Sequence, residues 1–107
     1  MLDQVLRAIA EPNRREILKL LREKELSAGE IASSFDVTRP AISQHLQVLH
    51  AAGLVGVRRV GTKRLYHLKA EGTSELLQFL NSFWEDRLDL LKKAVEEEVR
   101  REDRNER

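Results

Sequence analysis

Residues 27–52 read SAGEIASSFDVTRPAISQHLQVLHAA, and this stretch decides the fold. Ser27 followed by Glu30 forms a capping box, so a short helix begins there. Thr38 is a good N-cap for a second helix after a polar corner. The pattern predicts a helix-turn-helix whose second, recognition helix spans residues 38–52.

The recognition helix has two different faces. Ile42, Leu46 and Leu49 recur at the spacing of a core-facing stripe. The opposite face carries short, mostly uncharged hydrogen-bonding groups, which suit the edges of bases in a major groove. Two helices and a turn also occur in proteins that do not bind DNA, so the motif alone does not establish this function. We assign base reading to Arg39, Pro40, Ser43, Gln44 and Gln47.

Beyond Gly53 the hydrophobic pattern changes from helical spacing to alternation. Residues 54–68 are predicted to form a β-hairpin, or wing, that turns at residues 60–63. Gly61 lies in the turn, where a positive φ is favoured. Basic residues at the tip of such a hairpin can contact the DNA backbone or a narrow minor groove.

Charge is unevenly distributed along the chain. The 107 residues carry 19 basic and 18 acidic side chains, a net charge of +1. Residues 37–70 contain six basic residues and no acidic one, so the remainder is net negative. This distribution is typical of a phosphate-binding surface, although a merely solvated face is the alternative. We assign contacts with the DNA backbone to Thr38, His45, Arg58, Arg59, Lys63 and Arg64. For His45, packing beside Ala41 and Val48 remains open.

Two amphipathic helices precede the helix-turn-helix, and Pro12 fits the first residue of the second. Arg14 and Arg15 on that helix favour a solvated face over DNA contact. The apolar stripes of the two helices are Leu2, Val5, Leu6 and Ile9, then Ile17, Leu18 and Leu21.

The C-terminal pattern predicts one long helix over residues 73–101, followed by a charged tail at residues 102–107. Such a helix runs about 40 Å, whereas the radius of gyration of a domain this size is about 13 Å. Its outer apolar residues therefore need a partner, for which a second copy is the simplest source. We expect residues 1–72 to form the DNA-binding core. We assign dimerisation to Leu2, Val5, Leu6, Phe83, Trp84, Leu88, Leu91 and Val95.

Composition excludes several classes of protein. Hydrophobic residues make up 41% of the chain, enough for a core. The absence of cysteine excludes disulfides and thiolate metal sites. Neither a membrane span nor a signal peptide is predicted, so we expect a cytoplasmic protein. Motifs for nucleophilic catalysis or phosphate cradling are absent, and we expect neither an enzyme nor a bound cofactor.

Several segments resemble the ArsR-type (arsenic-repressor) family of bacterial winged helix-turn-helix transcriptional regulators. They are Glu11–Leu18 (EPNRREIL), Thr38–Leu46 (TRPAISQHL), Ala52–Val55 (AGLV) and Arg58–Tyr66 (RRVGTKRLY). The resemblance implies a mainly α fold with five helices and a small β-hairpin. It also implies a homodimer, paired through its first and last helices, that represses promoters by binding an inverted repeat in double-stranded DNA.

Metal-sensing members of this family carry a cysteine pair in the first helix of the helix-turn-helix, or histidine with acidic ligands in the last helix. Here residues 28–33 (AGEIAS) contain no thiol, and the last helix contains no histidine. The Phe83–Trp84 pair of the last helix resembles a branch of the family without metal sites. We expect repression to be released by a small apolar ligand, by a partner protein or by changes in repressor concentration. A winged-helix module that binds protein is the alternative, and it predicts no salt-dependent affinity for duplex DNA.

Overall fold

The computed structural model describes residues 2–105 and contains five helices and one antiparallel hairpin within them. The elements are α1 (Leu2–Ala10), α2 (Pro12–Glu23), α3 (Ala28–Ala32), α4 (Arg39–Ala51), β1 (Val55–Val60), β2 (Lys63–Leu68) and α5 (Ala70–Asn105). The predicted fold class, a winged helix-turn-helix, is confirmed. The chain divides into two compact units, Met1–Leu76 and Leu77–Arg107.

Side-chain caps fix the two helices of the helix-turn-helix. The Glu30 backbone N–H donates to Ser27 Oγ at 3.2 Å, and the Ser27 N–H donates to Glu30 Oε1 at 3.1 Å. Thr38 Oγ1 accepts from the Ala41 N–H at 3.3 Å. Each cap supplies partners for N–H groups that have none within the helix, a contribution of about 1 kcal/mol. The predicted capping box is therefore confirmed.

The core lies in the first unit, where the stripe of α4 is its centre. Ile42, Leu46 and Leu49 are fully buried, as predicted. From α1, however, Val5 and Ala8 enter the core, whereas Leu6 is 37% exposed. The assignment of Val5 to a dimer surface is wrong, because its side chain is only 1% exposed within its own chain. A helix of nine residues presents a narrow face, and Val5 and Ala8 share it one turn apart.

The two arginines of α2 bind the end of α1. Arg14 Nε donates to the Ala8 carbonyl oxygen at 2.7 Å, and Arg15 Nη1 donates to the Ile9 carbonyl oxygen at 2.8 Å. Arg15 is exposed, as a solvated face predicts, whereas Arg14 is half-buried; both also donate hydrogen bonds to backbone carbonyls of α1. Positive groups at a helix C-terminus donate hydrogen bonds to carbonyls that have no partner within the helix. They also interact favourably with the negative end of the helix dipole.

The wing has the predicted hairpin geometry. Gly61 has φ +65°, and Gly53, which ends α4, has φ +74°. Both values favour glycine. A feature that the sequence did not indicate is a third, short strand contact: the Tyr66 N–H donates to the Leu26 carbonyl at 2.8 Å, and the Leu26 N–H donates back at 3.2 Å. This bridge attaches the wing to the segment between α2 and α3.

Helix α5 contains 36 residues and begins at Ala70, three residues before the predicted start. Thr73 Oγ1 donates to the Lys69 carbonyl at 3.0 Å, so this hydroxyl lies within the helix and does not cap it. Residues 102–105 of the predicted tail form the end of α5, and residues 106–107 lie outside the described part. Within residues 2–105, no helix is both long and apolar enough to cross a membrane.

Candidate nucleic-acid interface

The outward face of α4 presents polar side chains along one side. Gln44 and Gln47 are exposed, and Ser43 is half-buried between them and the wing. Arg39 and Pro40, in the first turn, are exposed as well. All five residues assigned to base reading are therefore accessible, and the buried stripe holds them on the outside of the first unit.

A groove of about 410 Å³ separates this face from the wing. Its walls are Ser43, Leu46, Gln47 and His50 from α4, with Val57, Arg64 and Tyr66 from the wing. None of the described residues that line this groove is acidic. The Arg64 guanidinium thus faces the hydroxyl of Ser43 and the amide of Gln47, an arrangement that suits a phosphate beside the polar edge of a base.

A second groove, of about 600 Å³, shares Ser43, Arg64 and Tyr66 with the first and extends toward the N-terminus of α3. Lys63 and Glu30 lie on its walls. The pKa of Glu30 is lowered because its carboxylate accepts the Ser27 backbone N–H and bonds with the Ser27 side chain; the positive charge of Lys63 adds to this effect. The carboxylate therefore stays ionised beside the tip of the wing.

The strand register separates the wing's basic residues onto two faces. Arg59 lies directly opposite Arg64, and Val57 lies opposite Tyr66. Directly opposed side chains share a face, and alternation puts residues 57 and 59 on the same face of β1. Since Val57, Arg64 and Tyr66 line the groove beside α4, Arg59 lies on the face that borders α4. Arg58 alternates to the other face, where its Nε donates to Glu25 Oε2 at 2.6 Å.

His45 has a neighbour that the sequence did not indicate. Its side chain is 18% exposed, and Nδ1 lies 3.9 Å from Glu11 Oε2. The same Glu11 oxygen accepts the Arg14 N–H at 2.9 Å and so caps α2. His45 therefore faces the start of α2, and it does not line either groove.

Sequence reasoning missed His50 and Tyr66 as members of the groove. His50 was detectable, because it follows Ser43 and Gln47 at seven and three residues, the spacing of one helix face. Tyr66 was detectable as well, because it follows Arg64 by two residues in the predicted strand and alternation puts both side chains on one face.

In the second unit, α5 exposes an apolar stripe. Trp84 is 57% exposed, and Leu91 is 60% exposed. The stripe repeats at intervals of three, four and four residues, a period that stays on one side of a nearly straight helix. Its members are Leu77, Leu80, Trp84, Leu88, Leu91, Val95 and Val99. Phe83 borders it and packs edge-to-face on Phe79, with ring centroids 5.5 Å apart.

Comparison with known proteins decides the family. A family model described as "Bacterial regulatory protein, arsR family" matches residues 11–57. The HTH-type transcriptional regulator Rv2034 of Mycobacterium tuberculosis is 43% identical over 82 residues, 77% of this chain and 77% of that protein. The chain belongs to the arsR family of bacterial regulatory proteins.

Two further relatives of this arsR-family chain are informative. The transcriptional repressor SdpR of Bacillus subtilis is 33% identical over 82 residues, 77% of this chain and 91% of that protein. A solution structure of Mb0332 from Mycobacterium bovis, described as a homodimeric winged helix-turn-helix DNA-binding domain, has a TM-score of 0.63 at 30% identity. The match covers 81% of each chain. The relatives are named as regulators of transcription and not as enzymes.

The described residues also bear on the metal-sensing mechanisms of the family. Among residues 2–105, no three His, Cys, Asp or Glu side chains gather as ligands for a metal ion. The histidines at positions 45 and 67 each have a carboxylate as neighbour, at 3.9 Å and 4.0 Å respectively.

Proposed function

We propose that the protein is a homodimeric, sequence-specific DNA-binding regulator that represses transcription by binding an inverted-repeat operator. One observation carries this proposal: the polar face of α4 and Arg64 of the wing line one open groove whose described lining contains no acidic side chain. Nucleic acid offers the matching chemistry, since it presents polar base edges between rows of phosphates.

Helix α4 would enter the major groove, which is about 12 Å wide and admits one helix. Ser43, Gln44 and Gln47 would contact base edges, and glutamine can pair with adenine through two hydrogen bonds. Arg39 and Pro40 would approach the bases from the first turn. Thr38 Oγ1 accepts the Ala41 N–H, so its hydroxyl proton remains available for a phosphate oxygen.

The wing would supply affinity that depends little on sequence. Arg59, Lys63 and Arg64 are exposed, and they carry the charge that phosphate contacts require. Two residues assigned to the backbone from the sequence, His45 and Arg58, instead face carboxylates of the chain itself. We propose that these two support the reading elements and do not contact phosphate.

The homodimer would form through α5 and through Leu2 and Leu6 of α1. The exposed stripe of α5, together with Phe83, is too apolar to remain in contact with water without cost. A two-fold dimer presents two α4 helices in opposite orientations, which requires an inverted repeat whose half-sites lie about 34 Å apart. Repression is proposed from the likeness to the repressor SdpR.

Selection from a random-sequence duplex library tests this function. The purified protein should enrich a palindromic site, and sedimentation should give two chains per selected duplex. Transcription in vitro from a promoter that overlaps the site should decrease as protein is added. Failure to enrich any sequence, together with the absence of a salt-dependent affinity for duplex DNA, would exclude DNA reading and favour a winged-helix module that binds protein.

A further inference from the structure

The face of the wing that points away from α4 is held by a single carboxylate. Glu25 lies in the segment between α2 and α3, one residue before the Leu26 bridge to Tyr66. Its Oε2 accepts Arg58 Nε of β1 at 2.6 Å. Its Oε1 lies 4.0 Å from His67 Nδ1 of β2. One side chain outside the hairpin therefore faces both of its strands.

The position of His67 is fixed by packing. His67 lies opposite Gly56, and a Cβ at Gly56 would lie 2.5 Å from His67 Nε2. The imidazole thus occupies the space that any other residue at position 56 would fill. Among the described residues, His67 Nδ1 is a buried side-chain atom without a hydrogen-bond partner. A buried polar atom of this kind costs free energy unless a partner is close, and Glu25 Oε1 is the facing acceptor.

We propose that Glu25 is a positioning residue for DNA binding, which sets the angle of the wing through Arg58 and His67. The inference rests on the proposed function, because it assumes that the wing contacts DNA. The buried Val55 and the Leu26–Tyr66 bridge hold the base of the wing, whereas residues 57–64 toward its tip are exposed. The Glu25 carboxylate adds an attachment closer to the tip, at Arg58.

The direction in which DNA affinity changes after a substitution of Glu25 distinguishes a positioning role from simple repulsion between the carboxylate and phosphate. An acidic residue near a DNA-binding surface repels phosphate, so its neutralisation should strengthen binding. If Glu25 orients the wing, the change Glu25→Gln should instead weaken binding, by about three- to fivefold for a partly exposed ion pair. Arg58→Gln should weaken binding by a similar factor, without the decrease in salt dependence that a lost phosphate contact produces.

The experiment measures affinity for a duplex that the wild-type protein itself selects from a random library, at several salt concentrations. Glu23→Gln is the matched control, because Glu23 is exposed at the end of α2 and, among residues 2–105, its ion pair is with the adjacent Arg22 alone. This control should bind as the wild type does or slightly more tightly. The exchanged pair Glu25→Arg with Arg58→Glu should recover most of the lost affinity, and thermal melting should show that each variant is folded.

Two results would overturn the inference while leaving the proposed function intact. One is a Glu25→Gln variant that binds as tightly as the wild type or more tightly. The other is an exchanged pair that binds no better than the single variants. If the wild-type protein selects no duplex at all, the proposed function fails as well, and the two failures are thereby distinguished.

Discussion

Helices α4 and α5 both carry a regular apolar stripe, but the two stripes have opposite surroundings. In α4, Leu49 is 0% exposed, and the polar side chains lie outside. In α5, Leu91 is 60% exposed, and it is one of a row of apolar side chains on the surface. When the apolar stripe of a helix is buried within its own chain, the polar face of that helix is accessible to a ligand. An exposed stripe favours another protein surface, and we therefore propose that α4 contacts nucleic acid and that α5 contacts the second copy.

The largest expected effect comes from a charge on the exposed stripe. Leu91→Glu should dissociate the dimer and weaken operator binding by about a hundredfold, because binding of the second half-site is no longer intramolecular. Sedimentation and fluorescence anisotropy measure the two quantities. Gln78→Glu introduces the same charge on α5 outside the stripe and should change neither. A Leu91→Glu protein that remains dimeric would place the pairing surface elsewhere.

The next effect concerns the polar face of α4. Gln44→Ala should cost about 1–3 kcal/mol on the selected operator and much less on random duplex, because a base contact is lost. The control is Gln4→Ala, an identical truncation on the exposed side of α1. Equal losses on both duplexes would show that Gln44 does not read bases.

A smaller, sequence-independent effect is expected from the tip of the wing. Replacing Lys63 and Arg64 with alanine should weaken operator and random duplex alike, by about tenfold at moderate salt, and should lower the salt slope by about one per lost phosphate contact. Lys19→Ala with Arg22→Ala removes the same charge from an exposed face of α2. If the slope is unchanged, the wing does not touch phosphate in the complex.

Features set by neighbours in the chain could be predicted from the sequence, whereas features set by distant residues could not. The Ser27–Glu30 capping box and the turn at Gly61 depend on residues within four positions, and both were predicted. The buried stripe of α4 follows from helical spacing alone. These local rules were sufficient for the fold class and for most of the accessible residues on α4.

Long-range pairings account for what the sequence did not predict. Arg58 was assigned to phosphate because no acidic residue lies near it in sequence, yet Glu25, 33 positions earlier, is its partner. Arg14 likewise binds a carbonyl six residues away in another helix. Charge counted along a chain does not show which charges are already paired in space. In the candidate nucleic-acid interface, Arg58 is therefore paired with Glu25, although the count of charges along the chain indicated a free cation.

The smallest expected effect compares the two faces of the wing. Arg59 and Arg64 are directly opposed, and like charges in this arrangement destabilise a hairpin. Arg59→Gln should therefore raise the free energy of unfolding by about 0.5 kcal/mol while weakening DNA binding. Arg58→Gln, the same change on the adjacent residue, should lower the free energy of unfolding, because Glu25 loses its partner. Chemical denaturation measures both values. If the two variants shift the free energy of unfolding in the same direction, the wing does not have one face destabilised by the repulsion of Arg59 and Arg64 and another stabilised by the Arg58–Glu25 pair.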